Sequence, residues 1–217
     1  MAERASARVV EVETPAGTAR AHLRRPPSAV GALVLGHGAG GGIEAADLVA
    51  VRDAAVAAGW AVALVEQPWR VQGRRVAPAP ARLDEAWVPV LRALRSGRSA
   101  LRGPLVTGGR SAGARVACRT AEQVSATAAV CLAFPLHPPG RPERSRADEL
   151  ASTARPVLVV QGERDVFGRP EEVEAVLPAA ARLVAVPGGH GLDTAAATRA
   201  TADAVVAFLR GILAVPE

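Results

Sequence analysis

The sequence predicts a doubly wound α/β domain, and three observations carry that expectation. Short apolar runs alternate with longer segments of helical period along the whole chain. The runs are apolar at successive positions rather than at every second one, as strands covered on both faces of a parallel sheet require. The helical segments between them are the crossovers that parallel strands need. The expected sheet has about eight strands and is mostly parallel, with helices on both faces. No stretch is spare for a lid or a second domain, so residues 1–217 are expected to form one domain.

Each element has its own signal. Residues 9–12 and 19–23 read as two strands joined by a turn around Pro15 and Gly17, the expected antiparallel edge. Residues 32–35 are a third strand that runs into a glycine cluster. In 45–58, Leu48, Val51, Ala55 and Ala58 recur at helical spacing, and Gly59 stops the helix. Residues 61–65 form the next strand, followed by a loop rich in Pro and Arg from Pro68 to Pro80. A helix over 82–95, a short strand over 105–107, a helix over 112–124 and a strand over 128–133 follow. Residues 138–142 are irregular, and 147–152 form a short helix. The chain closes with a strand at 157–161, a helix at 171–177 started by Pro170, a strand at 182–186 and a helix at 195–213. That last helix sets Ala202, Val205, Leu209 and Ile212 on one face.

Composition narrows the function classes. All 26 basic residues are Arg, and Lys, Asn and Tyr are absent, a pattern of coding in a GC-rich bacterial genome rather than of selection for a partner. A net charge of +5 spread along the chain, with no basic cluster interleaved with aromatics, argues against nucleic-acid binding. No apolar run is long enough to span a membrane, and the charged N-terminus lacks the apolar core of a secretory signal. Cys118 and Cys131 fall in a helix and a buried strand, where small buried thiols fit a reducing cytoplasm. No cluster of His, Cys, Asp or Glu has metal-ligand spacing, so neither a metal nor another cofactor is implied.

The chemistry concentrates in four loops. Gly109-Arg110-Ser111-Ala112-Gly113 fits G-x-S-x-G between a predicted strand and a predicted helix. Such a turn holds its serine in a strained backbone, at positive φ, and lifts the hydroxyl above the sheet edge. A serine hydroxyl needs a base. Of the four histidines, His190 lies past the last strand, in Pro187-Gly-Gly-His-Gly-Leu-Asp193, a loop that a parallel sheet delivers to the same edge. His22 falls inside an edge strand, where packing or solvation is the plainer role. The imidazole in turn needs a carboxylate to set its tautomer. Asp165 follows an apolar strand and gives the chain order Ser111, Asp165, His190; Glu163 and Asp193 are rivals, Asp193 being also placed to cap the last helix.

The fourth loop is Gly36-His-Gly-Ala-Gly-Gly-Gly42. Glycine-rich backbone exposes N–H groups that can hold an oxyanion, and the Ala39 N–H pairs naturally with that of Ala112. The same loop satisfies G-x-G-x-x-G through Gly36, Gly38 and Gly41, with Glu66 where a dinucleotide fold places its ribose-binding acid. Against nucleotide binding, two strands precede the loop, Ile43 and Glu44 delay the helix, and the Ser, Asp and His positions would be left as coincidence.

Together these residues resemble the α/β-hydrolase fold over nearly the whole chain. The small size and missing lid are similar to the dienelactone-hydrolase-like branch. Phe134-Pro-Leu-His-Pro-Pro-Gly140, with Gly-Gly-Arg-Ser at 108–111 and Asp-Val-Phe-Gly at 165–168, resembles a family of small hydrolase-like proteins. That family includes a vertebrate testis-expressed homologue and a subunit of a chromatin acetyltransferase complex. The resemblance implies a Ser111–Asp165–His190 triad and an oxyanion hole from the Ala39 and Ala112 N–H groups. It departs from dienelactone hydrolase at the nucleophile, cysteine there and serine here.

The expected function is therefore a serine hydrolase that cleaves an ester, thioester or related acyl bond of a small molecule. Trp69, Phe134, Leu136 and Phe167 are expected to line its pocket, and His137 to contact substrate or to stiffen its own loop. A hydrolase-fold interaction module without turnover is the alternative from another class.

Overall fold

A computed structural model describes residues 6–98 and 100–214. Its centre is a sheet of eight strands in the order β1-β2-β4-β3-β5-β6-β7-β8. The strands are β1 (Ser6–Thr14), β2 (Gly17–Arg25), β3 (Ala32–Gly36), β4 (Ala61–Glu66), β5 (Leu105–Arg110), β6 (Ala128–Leu132), β7 (Val157–Gly162) and β8 (Ala181–Val186). β1 and β2 pair antiparallel, β2 pairs antiparallel with β4, and every further pair is parallel. The reversal therefore lies where two strands joined by a tight turn precede the first crossover. β3, β6 and β7 are buried along their full lengths, which accounts for their unbroken apolar runs.

Helices cover both faces. α1 (Ala46–Ala57) and α7 (Ala195–Ala214) share one core cluster, in which Leu48, Val51, Val205 and Leu209 meet Leu33, Val62 and Val160. α3 (Pro80–Leu94) and α4 (Ala112–Thr120) lie on the other face; Trp87, Leu91 and Val116 pack there against Val34, Ala63 and Leu105. α5 (Ala147–Ala151) and α6 (Pro170–Glu174) extend that layer, with Leu150 and Val173 in a third cluster around Phe134 and Val159. Glu149 accepts from both Arg115 and Arg119, and Arg119 also donates to Asp84, so a chain of ion pairs ties α5, α4 and α3.

Helix ends follow their local chemistry. Gly59 at φ 90° closes α1, with its N–H bonded to the Val56 carbonyl and the Trp60 N–H to that of Ala55. The proline-rich loop differs from expectation. Pro68–Val71 form a one-turn helix, α2, because proline at a first helical position has no N–H to leave unpaired. A second such turn, Pro142–Arg144, follows the irregular segment.

β5 runs three residues further than its apolar signal, through Gly108 and Gly109, paired with both β3 and β6, to Arg110, paired with β6. Glycine is a poor strand former, but crowding here leaves no alternative. A Cβ at Gly108 would sit 2.5 Å from the Val130 carbonyl oxygen. A Cβ at either Gly109 or Gly113 would run into the Gly36 carbonyl. The strand-to-helix turn thus packs backbone on backbone. Gly113→Ala should destabilise the protein by about 1–3 kcal/mol through overpacking, read as a fall of several degrees in Tm. An unchanged Tm would show that β3 and α4 can separate freely.

Candidate active site

Ser111 stands between β5 and α4 at φ 53°, ψ −111°. Its N–H still donates to the Leu132 carbonyl at 2.9 Å, continuing the β5–β6 ladder, while the next residue opens the helix. The chain must turn within that one residue, and the glycines at 109 and 113 press the turn against β3. A non-glycine residue in this conformation stores about 1–3 kcal/mol of strain. Ala112 is the first residue of α4, so its N–H has no acceptor one turn back. The Ala39 N–H has no acceptor among the described residues either, and Gly38 lies against Ser111 so closely that a Cβ there would be 3.3 Å from the serine Cβ.

The loops after β7 and β8 are laced together. Glu163 and Arg164 donate their N–H groups to the carbonyls of Val186 and Gly188 at 2.9 and 2.8 Å. Leu192, fully buried at φ 47°, anchors the far end of the second loop. This lacing brings His190 between its partners: Nε2 is 2.9 Å from Ser111 Oγ and Nδ1 is 2.8 Å from Asp165 Oδ2. A carboxylate accepts, so Nδ1 carries the proton and Nε2 faces the hydroxyl as an acceptor. The Phe167 ring lies over the imidazole, centroids 4.2 Å apart and tilted by 35°.

Asp165 is 1 % exposed, and both of its oxygens are occupied. Oδ1 accepts the Phe167 N–H at 2.9 Å, and Oδ2 also accepts Gln161 Nε2 at 3.0 Å. Gln161 is held by the carbonyls of Phe134 and Gly168 at 3.1 and 2.7 Å. Sequence reasoning passed over this residue. The signal was a lone amide closing the apolar strand Val157–Gly162.

The rivals for the acid lie elsewhere. Glu163 and Asp193 are both exposed. Thr194, not Asp193, caps the last helix, its Oγ1 accepting the Ala197 N–H at 3.2 Å.

The glycine loop is anchored from within. Buried His37 accepts the Gln67 N–H on Nε2 at 3.1 Å and so donates from Nδ1 to the Gly38 carbonyl at 2.9 Å. Burial pushes the His37 pKa down, against the pull of the Gly38 bond, which favours the neutral ring this pattern needs. Trp69 and the same ring meet in a T-shaped contact, centroids 5.4 Å apart. Trp69, Leu83, Ala39, Ala112 and Val116 enclose a cleft beside the two free N–H groups, with about 10 Å³ of free volume. That is room for about one water.

The remaining pocket candidates separate. Phe167 borders the site, whereas Phe134 and Leu136 are 0 % and 4 % exposed and belong to the core cluster under α4 and α6. Their segment enters the core because Gln161 and Arg146 bond the carbonyls of Phe134 and Pro135. His137 has both ring nitrogens engaged, Nδ1 with the Pro138 carbonyl at 3.0 Å and Nε2 with Glu172 at 3.2 Å. It thus links its own loop to α6 and leaves no ring nitrogen facing the site. His22 lies 3.8 Å from Glu66 at the antiparallel end of the sheet. The glycine loop packs on Ser111, and the helix that follows it in sequence, α1, begins only at Ala46, so the loop does not run directly into its own helix as a dinucleotide-binding turn does.

Asp165→Asn should lower kcat about 10⁴-fold by favouring the wrong imidazole tautomer. Asp193→Asn should leave it within about twofold, because an exposed side chain away from the site seldom matters. Both variants are to be measured on one activated ester. A crippled Asp193→Asn beside a near-normal Asp165→Asn would reverse the assignment.

Residues 29–210 match the family described as Alpha/beta hydrolase domain. Solved structures share the fold at low identity. A serine hydrolase without a lid from Xanthomonas campestris is 18 % identical, with 97 % of each chain covered and a TM-score of 0.74. Dienelactone hydrolase from Anabaena variabilis is 20 % identical over 96 % of this chain and 99 % of its own, with a TM-score of 0.78. Est1E from Butyrivibrio proteoclasticus, in a structure with ferulic acid bound, is 18 % identical over 95 % of this chain and 100 % of its own, with a TM-score of 0.79. Among the described residues, no helix is long and apolar enough to cross a membrane. With 29–210 matched and the eight-stranded sheet in place, the chain belongs to the alpha/beta hydrolase family.

Proposed function

We propose that the protein is a serine hydrolase that cleaves a small ester, thioester or related acyl compound through an acyl-enzyme. One observation carries the reading: the unbroken chain from Ser111 Oγ to His190 to Asp165, with both contacts within 2.9 Å. As Ser111 Oγ attacks the acyl carbon, its proton passes to His190 Nε2 and the carbonyl electrons move onto oxygen. The Ala39 and Ala112 N–H groups hold that oxyanion. Asp165 keeps Nδ1 protonated and stabilises the imidazolium. The imidazolium then protonates the leaving alcohol or thiol as the carbon–oxygen or carbon–sulfur bond breaks. Water, deprotonated by the same imidazole, attacks the acyl-enzyme and releases the acid and Ser111.

The tight cleft at Trp69, Leu83 and Val116 is read as the acyl site, which favours short acyl groups. The leaving group then extends past half-buried Phe167 and exposed Val166 toward solvent. Ferulic acid on Est1E supports a small organic acid or its ester as the ligand class. An interaction module without turnover has no use for strain at Ser111 or for three polar groups held in sequence.

A fluorophosphonate should label the wild-type protein, and Ser111→Ala should abolish labelling with Tm little changed, since alanine keeps the Cβ and the same backbone turn and removes only the hydroxyl. Labelling that survives would identify another nucleophile. Val116→Ala should widen the acyl site and shift preference along a series of p-nitrophenyl esters from acetate toward butyrate by about tenfold, the lower value for a methylene-sized change in a pocket. An unmoved profile would place the acyl group elsewhere.

A further inference from the structure

We infer that Arg110 is a positioning residue that clamps the histidine loop to the nucleophile turn, with Asp47 balancing its charge; the inference rests on the serine-hydrolase reading of the same site. Arg110 directly precedes Ser111, and its guanidinium meets three other segments. Nη2 donates to the carbonyl of His190 itself at 2.9 Å and to that of Gly191 at 3.3 Å. Nε lies 3.2 Å from Asp47 Oδ2 on α1, the two side chains 15 % and 1 % exposed. Nη1 borders the glycine loop, where a Cβ on Gly38 would lie 3.4 Å from it. One rigid fork therefore touches the backbone of the base, the loop of the oxyanion site and a buried carboxylate, and it is bonded to the residue before the nucleophile.

The need for a clamp follows from the loop's composition. Gly188, Gly189 and Gly191 surround His190, and Gly188 sits at φ 117°. Such a backbone has little stiffness of its own. Asp165 fixes the ring at Nδ1 and Phe167 covers its face, but neither holds the main chain at 190 and 191. Arg110 does, from a position 80 residues away in sequence.

Asp47 answers an electrostatic problem. A guanidinium is always charged, and His190 becomes a cation during turnover. Unbalanced, Arg110 would oppose that imidazolium. The groups that bear on this pair are Asp47 on α1, Asp165 after β7 and Asp193 on the histidine loop, which also acts on Asp47 through space. Burial pushes the Asp47 pKa up to about 6, with Arg110 opposing the rise.

The test compares Arg110→Met, Arg110→Lys, Asp47→Asn and the double variant Arg110→Met/Asp47→Asn, which leaves no unpaired buried charge if the single variant fails to fold. Three readouts are taken: fluorophosphonate inactivation rate, kcat and KM on an activated ester, and amide hydrogen exchange over residues 187–193. The methionine and double variants should lose about 10²-fold in inactivation rate and kcat with KM within about threefold, as a displaced base predicts. Exchange should quicken in 187–193 alone. Lysine should recover part of the rate, because an ammonium can reach the carbonyls without also spanning to Asp47. Asp47→Asn should slow kcat/KM chiefly above about pH 6, where the wild-type Asp47 is ionised and offsets the guanidinium, and have little effect below it. Full rate with unchanged exchange in the double variant would overturn the clamp, and an Asp47→Asn effect equal on both sides of about pH 6 would overturn the charge balance. A wild-type protein that resists the phosphonate overturns the hydrolase reading instead, and hydrogen exchange over 187–193 then decides the clamp alone.

Discussion

The backbone crowding between the end of β3, the end of β5 and the start of α4 is the constraint on which the site depends. Glycines at 109 and 113 let three main chains touch where any side chain would collide with the Gly36 carbonyl, and a Cβ at Gly36 itself would press on the Trp87 ring at 3.1 Å. That contact leaves the chain one residue in which to leave the sheet and enter a helix, and Ser111 takes it at positive φ. The Ala112 N–H, the Ala39 N–H and the serine hydroxyl are gathered at one edge by the same contact. Strain at Ser111 is tolerable because the surrounding ladder and helix over-determine it.

A second layer of order comes from buried polar groups that hold one another. Gln161 fixes Asp165, Asp165 fixes the His190 ring, and Arg110 fixes the main chain beneath it. On the other side, His37 and Gln67 fix the glycine loop. These contacts lie in little water, where a satisfied network stiffens and a half-satisfied one is costly. The result is a set of four loops whose relative positions are held by hydrogen bonds together with a few packed side chains, Leu192 and Phe167 among them. The apolar packing lies below, in the clusters on either face of the sheet.

Most of the fold was legible because it rests on local patterns. Continuous apolar runs marked β3, β4, β6 and β7, and helical spacing marked α1 and α7. The misses have physical causes. β5 extends through Gly108 and Gly109, residues with no strand preference, because neighbours on both sides offer ladders to pair with. α2 formed inside a segment that composition assigns to loop, since Pro68 suits a first helical position. Phe134 and Leu136 looked like pocket walls because they follow a strand at the edge where sites form; the turn after β6 instead folds them under α4 and α6.

What the sequence determined by itself is connectivity: alternating strands and helices, a Gly-x-Ser-x-Gly turn, and the order Ser111, Asp165, His190 at strand ends. Order along the chain becomes proximity at one sheet edge because parallel crossovers return every strand to the same side. Tertiary structure alone decided which groups meet at hydrogen-bond range. Ser111 and His190 are 79 residues apart in sequence, and the lacing of the β7 and β8 loops, with Arg110 on the His190 main chain, closes that gap to 2.9 Å. It also put Asp165 rather than exposed Asp193 beside the imidazole, turned His137 toward its own loop and α6, and set Arg110 across three segments. Such choices rest on side-chain reach and burial, which depend on neighbours distant in sequence and leave no periodic trace along the chain.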